Sequence, residues 1–301
     1  MEDLSVLDHL KSEGFEDIEI VEKLEGEHNY NYIFKSERGK FVLRKSKEHL
    51  DEEQRLRSER NVLKFLEHQG IKFIPRSVSY DNERDIHITT FVGSENTSLG
   101  KLSQKELENW VSNLSKIHSL NYEEFKGFCE ERNYSYREPE TVGQKIEEIR
   151  ERLAEAESTD KELVEWAEEK LGELNYSIEL DEPRLTHHDI HNSTRKSQNN
   201  LFVIDWEFAG FSYYPLEDLA DILIDENLKK EQVELVIDQY KSLSTIEITE
   251  SVLTNNKKLK LLFQLSWSLV EISKPRKNGE SSEKYHNYAR ERKEKFNSIQ
   301  N

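Results

Sequence analysis

The sequence predicts an α+β chain of two lobes, in which a small β-rich lobe precedes a larger, mostly helical one. Three observations support this class. Short alternating runs dominate before Gly93, helical spacing dominates after it, and two short apolar runs, at 184–190 and 201–210, interrupt the helices. A period of two indicates strands, whereas apolar residues three or four apart indicate helices. We therefore expect an N-terminal lobe over residues 1–92 and a C-terminal lobe over residues 93–301.

The N-terminal lobe is predicted to combine strands with one helix. The alternating runs predict strands at 18–24, 31–35, 40–44, 77–80 and 86–92. A Ser-Glu-Arg-Gly turn ending at Gly39 separates the second run from the third, as in a hairpin. A helix is expected over about 51–69, because its apolar residues keep helical spacing and Gly70 follows as a stop signal.

The C-terminal lobe is predicted to be built from amphipathic helices. Apolar stripes predict helices at about 104–120, 142–156, 163–174 and 258–273. The charged residues between 147 and 170 lie beside such a stripe, which indicates a solvated helix and not an acidic tail. The first twenty residues and the tail after Pro275 carry no diagnostic pattern.

Composition excludes several classes of function. The 301 residues include 43 basic and 61 acidic side chains, a net charge of −18, which disfavours nucleic acid as a partner. An acidic cleft would instead attract cationic small molecules. Cys129 is the single cysteine, the N-terminus does not look like a signal peptide, and no apolar run is long enough for a membrane span. We expect a cytoplasmic protein that is not membrane-bound; the oligomeric state is left open.

Two carboxylates stand where phosphoryl transfer would need them. Such transfer requires a carboxylate to accept the hydroxyl proton, ligands for Mg²⁺, and cations on the phosphates. Asp189 lies in a polar loop after a short apolar run, and Asp205 ends the apolar run Leu-Phe-Val-Ile. About 16 residues separate them, enough for a loop and a returning strand of ordinary length. We expect the two carboxylates to share one cleft.

The runs that carry Asp189 and Asp205, together with the Glu-Asp-Leu-Ala run at 217–220, resemble those of the aminoglycoside phosphotransferase and choline kinase family. Its usual pattern is His-Gly-Asp, then Asn five residues later, then Asp-Trp/Phe-Glu and Asp-Leu-Ala. The resemblance implies a protein-kinase-like fold and transfer of phosphate from ATP, with Mg²⁺, to a hydroxyl of a small molecule. It also implies that Asp189 orients and deprotonates that hydroxyl, that His187 supports the loop, that Asp205 binds Mg²⁺, and that Asp218 braces the loop from below.

The chain departs from this pattern at two positions of the loop. His188 replaces the glycine, and Thr194 stands where the family usually has a metal-binding Asn. The Thr194 hydroxyl could still bind Mg²⁺, which prefers oxygen ligands. Asn192 is the alternative ligand if the loop is reshaped. Without either ligand, activity would be weakened or lost.

The resemblance also assigns a nucleotide site in the first lobe. Gly26 and Asn29 match the second glycine and the Asn of the family's phosphate loop, and Arg44 matches its phosphate-binding Lys or Arg. Glu59 matches the helix Glu that orients this cation, a charge-assisted pair. The segment that joins the lobes would read the adenine edge through its backbone, at Thr90, Phe91 and Val92.

The acceptor is less determined by the sequence. The run around Asp205, which includes Glu207, looks like that of choline and ethanolamine kinases. Those kinases place a Trp in a late helix, and Trp267 lies in a comparable helix of this chain. We predict that Trp267 and Glu207 contact the acceptor, which would be cationic or an amino sugar. A packing role for Trp267 is the alternative.

Two other functions remain open at this point. One is a nucleotide-binding protein with weak or no catalysis, motivated by Thr194 and by the sparse glycine loop. The other is a metal hydrolase that uses His187, His188 and His191 as ligands, since imidazole suits transition metals.

Overall fold

A computed structural model describes residues 2–26, 29–47, 55–156, 159–174, 179–198, 200–274 and 282–299. The first part of the chain forms an antiparallel sheet of five strands in the order β1-β2-β3-β5-β4. The elements up to the end of this sheet are α1 (Glu2–Ser12), β1 (Glu19–Glu25), β2 (Asn29–Ser36), β3 (Gly39–Ser46), α2 (Arg55–His68), β4 (Ser77–Asp81) and β5 (Ile86–Thr90).

Helices dominate the remainder. The later strands are β6 (Glu95–Asn96), β7 (Arg184–Thr186), β8 (Thr194–Ser197), β9 (Asn200–Val203) and β10 (Gly210–Ser212). The later helices are α3 (Gln104–Ile117), α4 (Tyr122–Glu131), α5 (Val142–Glu155), α6 (Lys161–Gly172), α7 (Leu216–Asp225), α8 (Lys230–Leu243), α9 (Glu250–Ser273) and α10 (Glu283–Ser298). The predicted α+β class, with strands first and helices after, is confirmed.

The chain forms two compact units that interleave along the sequence. The sheet unit comprises Met1–Thr97, Glu123–Tyr136 and Asn192–Gly210. The helical unit comprises Ser98–Tyr122, Arg137–His191 and Phe211–Asn301. The sequence analysis divides the chain once, at residue 93, whereas two later segments group with the sheet. The division into functional lobes at that residue stays a prediction.

The core of the sheet unit lies between α1 and one face of the sheet. Val6, Leu10 and Phe15 pack with Phe34 and Phe41, and the Phe15 ring meets both Phe rings edge-on at 5.2 and 5.1 Å between centroids. Burying aromatic side chains in this way contributes most of the stabilisation that such a small sheet can obtain. Helix α1, which the sequence analysis does not predict, is therefore part of this core.

Helix α2 is held against the sheet by contacts that also build the site. It ends at His68, and Gly70 follows with φ +72°; the amides of Gly70 and Ile71 donate back to the carbonyls of Glu67 and Leu66. A glycine adopts this left-handed conformation without steric cost. Residues 51–54 of the predicted helix lie outside the described residues, and the stop at Gly70 is confirmed.

The core of the helical unit is centred on α9. This helix contacts α5, α6, α7 and α10, and its buried leucines form one apolar cluster with residues of those helices. The cluster includes Ile149, Leu153, Leu163 and Leu171 from the predicted stripes of α5 and α6. Within the described part of the chain, no helix is both long and apolar enough to cross a membrane.

Candidate active site

The glycine turn of the sheet unit follows β1 at Gly26. Its amide donates to the Asn29 carbonyl at 3.0 Å. A Cβ at Gly26 would lie 2.9 Å from Asn31 Nδ2 and 3.0 Å from the Asn29 carbonyl oxygen, so only glycine fits this turn without a shift. Residues 27 and 28, at the tip of the loop, lie outside the described residues.

Arg44, near the end of β3, is surrounded by three carboxylates. One Nη lies 2.6 Å from Glu59 Oε1, and the other lies 2.8 Å from Asp205 Oδ1 and 3.2 Å from Glu207 Oε2. Burial alone would lower the pKa of Arg44, but the three acids outweigh it and raise the pKa further. The predicted Arg44–Glu59 pair is present in the structure.

Glu59 is fixed by a second partner besides Arg44. Its Oε2 lies 3.0 Å from Nδ1 of the buried His87 on β5, and Nε2 of His87 lies 3.0 Å from Ser77 Oγ on β4. Burial disfavours the charged form of Glu59, yet Arg44 and His87 together lower its pKa to about 2. The carboxylate that orients Arg44 is thus ionised and held from both sides.

Asp205 lies just past β9 in a conformation unusual for a residue with a side chain. Its φ is +71°, and a 3₁₀ turn, Trp206–Phe208, follows it directly. The Trp206 ring is fully buried and donates to the Val203 carbonyl at 2.9 Å, which anchors the turn. Left-handed Asp is a strained arrangement that clusters at functional sites. The Asp205 side chain remains 42% exposed, although one of its oxygens contacts Arg44.

Glu207 is buried in the same turn and accepts a hydrogen bond from Asn29 Nδ2 at 2.6 Å. Burial, together with the charges of Asp205 and Glu59, raises its pKa to about 7 despite the attraction of Arg44. Burial is the largest cause of this rise, because it disfavours the charged form of the carboxyl group.

The residues proposed as further metal ligands lie on the hairpin before Asp205. Thr194 pairs with Val203 across β8 and β9, and the Ser193 carbonyl accepts from the amide of Ile204. Thr194 is fully buried. Asn192 is exposed and has a left-handed backbone with φ +60°. The hairpin thus brings this segment alongside the strand that ends at Asp205.

The segment expected to read adenine continues from β5. The Thr90 amide donates to the Arg76 carbonyl and the Phe91 amide to the Lys40 carbonyl. Val92 makes no backbone hydrogen bond to the described residues, so its backbone is the part of this segment that remains available to a ligand. Gly93 follows with φ +131°.

In the helical unit, the loop after β7 is braced by Asp218, as the resemblance implies. The two Asp218 oxygens accept from the backbone amides of His187 and His188 at 2.7 and 2.8 Å. Asp218 also contacts Nε2 of His118 at 3.1 Å, and His118 in turn contacts the Tyr240 hydroxyl. Charge-assisted bonds to two successive amides fix the backbone of the loop.

Asp189 follows this braced turn, and its side chain is 43% exposed. His191 Nδ1 lies 3.3 Å from Asp189 Oδ1 and 3.0 Å from Oδ2 of the buried Asp221. Burial disfavours a charged imidazole, but the two carboxylates outweigh it and raise the pKa of His191 to about 9. A protonated His191 therefore links Asp189 to Asp221.

The three histidines of the loop do not form one ligand set. His188 Nδ1 contacts Glu217 Oε2 at 2.9 Å, whereas His191 turns to Asp189 and Asp221. Among the described residues, the group with atoms close enough to hold an ion is Asp189, His191 and Asp221, which lacks the other two imidazoles. This grouping does not favour the alternative of a three-histidine metal hydrolase, because His188 and His191 have separate carboxylate partners.

Sequence reasoning missed several residues that hold this loop. His118 and Lys260 lie far along the chain from Asp189, and Asp221 directly follows the Asp-Leu-Ala motif without being part of it. Lys260 and Asp221 contact the loop, and His118 contacts Asp218, which holds it. The sequence does contain a pattern that indicates a special role for Lys260. Asn256, Lys260 and Gln264 repeat at intervals of four in the otherwise apolar α9, and all three are buried. A buried polar stripe on an apolar helix requires polar partners from elsewhere in the chain.

Trp267 lies half-buried on α9 beside two tyrosines of α10. Its ring meets those of Tyr285 and Tyr288 edge-on, at 5.6 and 6.1 Å between centroids. The Arg292 guanidinium lies over the Tyr288 ring at 4.1 Å. Trp267 therefore has aromatic neighbours, which an aromatic site for a cationic ligand would require. The same contacts give it a packing role.

Arg44, Glu59, Asp205 and Glu207 form what we call the Arg44 cluster. Its oxygen atoms suit a magnesium ion. Asp205 and Glu207 supply carboxylate oxygens, which are the ligands Mg²⁺ prefers. Glu59, Asp205 and Glu207 face the single guanidinium of Arg44, so their ionised forms would leave negative charge to compensate. A divalent cation beside the half-exposed Asp205 would supply that compensation.

Several solved structures are similar to this chain in fold. A choline kinase from Streptococcus pneumoniae superposes with a TM-score of 0.70 at 16% identity, covering 99% of this chain and 100% of that one. A spectinomycin phosphotransferase solved with ADP and spectinomycin gives 0.65 at 16%, covering 98% of both chains. A macrolide 2'-phosphotransferase from Brachybacterium faecium gives 0.67 at 16%, covering 95% and 97%. At such identities the likeness establishes the fold.

A search among curated protein sequences found no match. A family model described as the phosphotransferase enzyme family matches residues 19–248. This match spans both the Arg44 cluster and the loop of Asp189, and it covers well over half of the chain. The chain therefore belongs to the phosphotransferase enzyme family, of the aminoglycoside phosphotransferase and choline kinase type.

Proposed function

We propose that the protein is an ATP-dependent kinase that transfers the terminal phosphate of ATP to a hydroxyl of a small molecule. The observation that carries this proposal is the cluster in which Arg44 meets Glu59, Asp205 and Glu207. A guanidinium oriented by a buried acid, next to acids that suit a metal ion, is what binding of a metal-bound polyphosphate requires. Structures solved with ADP or AMP among the similar proteins support a nucleotide as the donor.

In this proposal the sheet unit binds the nucleotide. Arg44 holds phosphate oxygens, and Glu59, fixed by His87, sets the direction of its guanidinium. The turn at Gly26, held by Asn29, allows backbone close to the phosphates. Thr90, Phe91 and Val92 meet the adenine edge, with Val92 offering the free backbone.

The metal would be held by Asp205, with Glu207 beside it and Asn192 or Thr194 as a further ligand. Mg²⁺ neutralises charge on the phosphates when it is bound. Of the two further candidates, Asn192 is exposed and Thr194 is fully buried. We therefore favour Asn192, since a hydrated ion reaches an exposed amide oxygen more easily than a buried hydroxyl.

Asp189 would act as the general base. Its half-exposed carboxylate accepts a hydrogen bond from the acceptor hydroxyl. It takes the proton as the new O–P bond forms and the bond between the terminal phosphorus and the oxygen of the departing ADP breaks. His187 supports this residue through its amide, which Asp218 holds. That Asp189 and Asp205 share one cleft stays a prediction, and the proposed transfer depends on it.

The acceptor we propose is a cationic hydroxyl compound. Trp267, with Tyr285 and Tyr288, offers aromatic edges and faces, which attract quaternary or protonated amines. The net charge of −18 favours the same class of ligand. Glu207 is predicted to contact the acceptor, but its partners are Asn29 and Arg44, so we propose that it acts on the metal and phosphate side.

The test is an ADP-release assay with ATP, Mg²⁺ and a panel of choline, ethanolamine, amino sugars and aminoglycosides. We expect turnover with at least one cationic acceptor. Asp189→Asn should lower kcat about 10²–10⁴-fold, the range of a positioned general base, and leave ATP affinity within about twofold. Lys257→Met is the matched control, because Lys257 has no ion pair or hydrogen bond with the described residues.

Nucleotide binding without turnover of any acceptor would instead favour the alternative of a weak or inactive nucleotide-binding protein. Wild-type kcat in Asp189→Asn would remove the general-base assignment. For the metal ligand, Asn192→Ala should raise the Mg²⁺ concentration needed for half-maximal rate, whereas Thr194→Val should not. The reverse pattern would assign the ligand to Thr194.

A further inference from the structure

Lys260 is a buried lysine of α9 whose contacts converge on the loop of Asp189. The residue is 2% exposed. Its Nζ lies 2.5 Å from the His188 carbonyl oxygen, 3.2 Å from Glu217 Oε1 and 3.6 Å from Asp221 Oδ2. Burial would lower the pKa of Lys260, but Asp221 and Glu217 outweigh it and keep the ammonium charged.

The carbonyl that Lys260 binds belongs to the residue directly before Asp189. His188 has φ +68°, a conformation that residues with a side chain rarely adopt. Glu217, which Lys260 also contacts, accepts from the His188 ring at 2.9 Å. Lys260 therefore binds the backbone of His188 directly and also contacts Glu217, the acid that binds the His188 ring.

A third contact reaches the other side of Asp189. Asp221 pairs with Lys260 and with His191, and His191 contacts the Asp189 carboxylate. Lys260 thus contacts His188, directly before Asp189, and is linked through Asp221 to His191, two residues after it. A side chain between two fixed neighbours keeps one orientation, which a general base needs within a fraction of an ångström.

We propose that Lys260 is a positioning residue for Asp189: it secures the left-handed turn at His188 and so sets the direction of the Asp189 carboxylate. This inference rests on the proposed kinase function for its effect on rate. Its effect on the loop does not depend on the reaction. A role limited to balancing buried charge is the competing explanation.

Removing Lys260 should leave a folded protein, because each of its acids retains a cation. Glu217 keeps His188, and Asp221 keeps His191. Lys260→Met preserves the length and the apolar stem of the side chain and deletes the ammonium. Lys260→Arg keeps a charged donor, and Lys257→Met makes the same chemical change one helical turn earlier, away from any ion pair with the described residues.

The experiment combines kinetics with hydrogen–deuterium exchange read by mass spectrometry. We expect Lys260→Met to lower kcat about 10–100-fold with the KM for ATP within about twofold, the pattern of a lost positioning contact. Amide exchange in a peptide covering residues 187–191 should accelerate at least about tenfold, while exchange over β3 stays unchanged. Lys260→Arg should restore most of both properties, and Lys257→Met should match the wild type.

Wild-type kcat and loop exchange in Lys260→Met would overturn the inference, as would equal changes in Lys257→Met. If no acceptor is turned over by the wild-type protein, the kinase proposal fails, and the exchange measurement alone decides whether Lys260 holds the loop. If Lys260→Met does not fold, Lys260→Gln takes its place with the same expected losses and the same overturning result.

Discussion

At the residue scale, His188 shows how this chain accommodates a departure from its family's pattern. A glycine would adopt φ +68° without cost, whereas a residue with a Cβ meets its own carbonyl. The Asp218 carboxylate holds the amide of His188, Glu217 holds its ring and Lys260 holds its carbonyl. Three charged contacts therefore hold one residue in this conformation.

A pair of substitutions separates the backbone cost from the ring contact. His188→Gly and His188→Ala both lose the bond to Glu217, but only alanine retains the strained Cβ. We expect His188→Ala to be less stable than His188→Gly by about 1–2 kcal/mol, the cost of left-handed backbone for a residue with a Cβ. Urea unfolding of the two variants measures this difference directly. Equal stabilities would mean that the turn relaxes once the ring is gone.

The residues of the motifs could be predicted from the sequence because each motif is a short run of neighbouring residues. Asp189 and Asp205 stand at the ends of short apolar runs, and Arg44 is paired with Glu59 in the structure as the resemblance implies. Lys260 is 72 positions from the carbonyl that it binds, and His118 is 100 from Asp218. Residues so far apart along the chain form no local sequence pattern, so these contacts become visible only in the folded structure.

At the element scale, two glycines illustrate opposite demands of helix and turn. Gly127 lies inside α4, and a Cβ there would meet nothing within 4 Å. Gly93 has φ +131°, and a Cβ there would lie 3.0 Å from the Lys196 carbonyl oxygen. The first position has room for a side chain, whereas the second has neither the space nor the conformation for one.

We therefore expect opposite signs for the same substitution. Gly127→Ala should stabilise the protein by about 0.5–1 kcal/mol, the difference in helix propensity. Gly93→Ala should destabilise it by about 1–3 kcal/mol, because strain and overpacking add. Chemical denaturation of both variants at one temperature gives the comparison. A loss of stability in Gly127→Ala would indicate that α4 tolerates no added methyl group.

Asp225 connects the end of α7 to α10. Arg292 Nη1 lies 2.5 Å and Lys295 Nζ 2.9 Å from its Oδ1, and Gln264 of α9 donates to its Oδ2 at 3.0 Å. Burial would raise the pKa of Asp225, but Arg292 and Lys295 outweigh it and lower the pKa to about 2. One carboxylate thus joins three helices of the helical unit.

This lowered pKa predicts a specific pH dependence. A carboxylate with a pKa of about 2 in the folded state and 3.8 ordinarily stabilises the fold above pH 4, and this stabilisation is lost as the pH falls towards 2. With Asp225 fully ionised, this stabilisation contributes about 2 kcal/mol to the free energy of unfolding. The stability difference between wild type and Asp225→Asn should therefore shrink between about pH 4 and pH 2. A difference that is constant with pH would contradict the assignment.

Helices with long apolar stripes were predicted well, and α1 was not. The stripes of α2, α3, α5 and α6 are visible as periodic patterns, and each forms a helix in the structure. In α1 the buried apolar residues are few, and Val6 and Leu10 become core residues because Phe15 and the sheet pack beside them. Tertiary packing, which no local window contains, stabilises this helix.

At the scale of the whole molecule, the dominant feature is the excess of acidic residues. The chain has 61 acidic and 43 basic side chains, and its pI is about 5.1. Like charges repel more strongly in the folded chain than in the expanded unfolded one, so a large net charge disfavours the compact state. Salt screens this repulsion over distances beyond about 10 Å at 0.1 M.

We therefore expect NaCl to stabilise the protein well above its pI and to have little effect near it. At about pH 8, raising NaCl from about 20 to about 300 mM should increase the unfolding free energy by about 1 kcal/mol, which raises Tm by about 1.5–2 °C for a chain of this size. At pH 5.1, where the net charge is close to zero, the same salt step should shift Tm by less than about 1 °C. Thermal unfolding at the four conditions provides the measurement. An equal rise at both pH values would show that salt acts through apolar burial, and a fall at pH 8 would show that the ion pairs outweigh the repulsion.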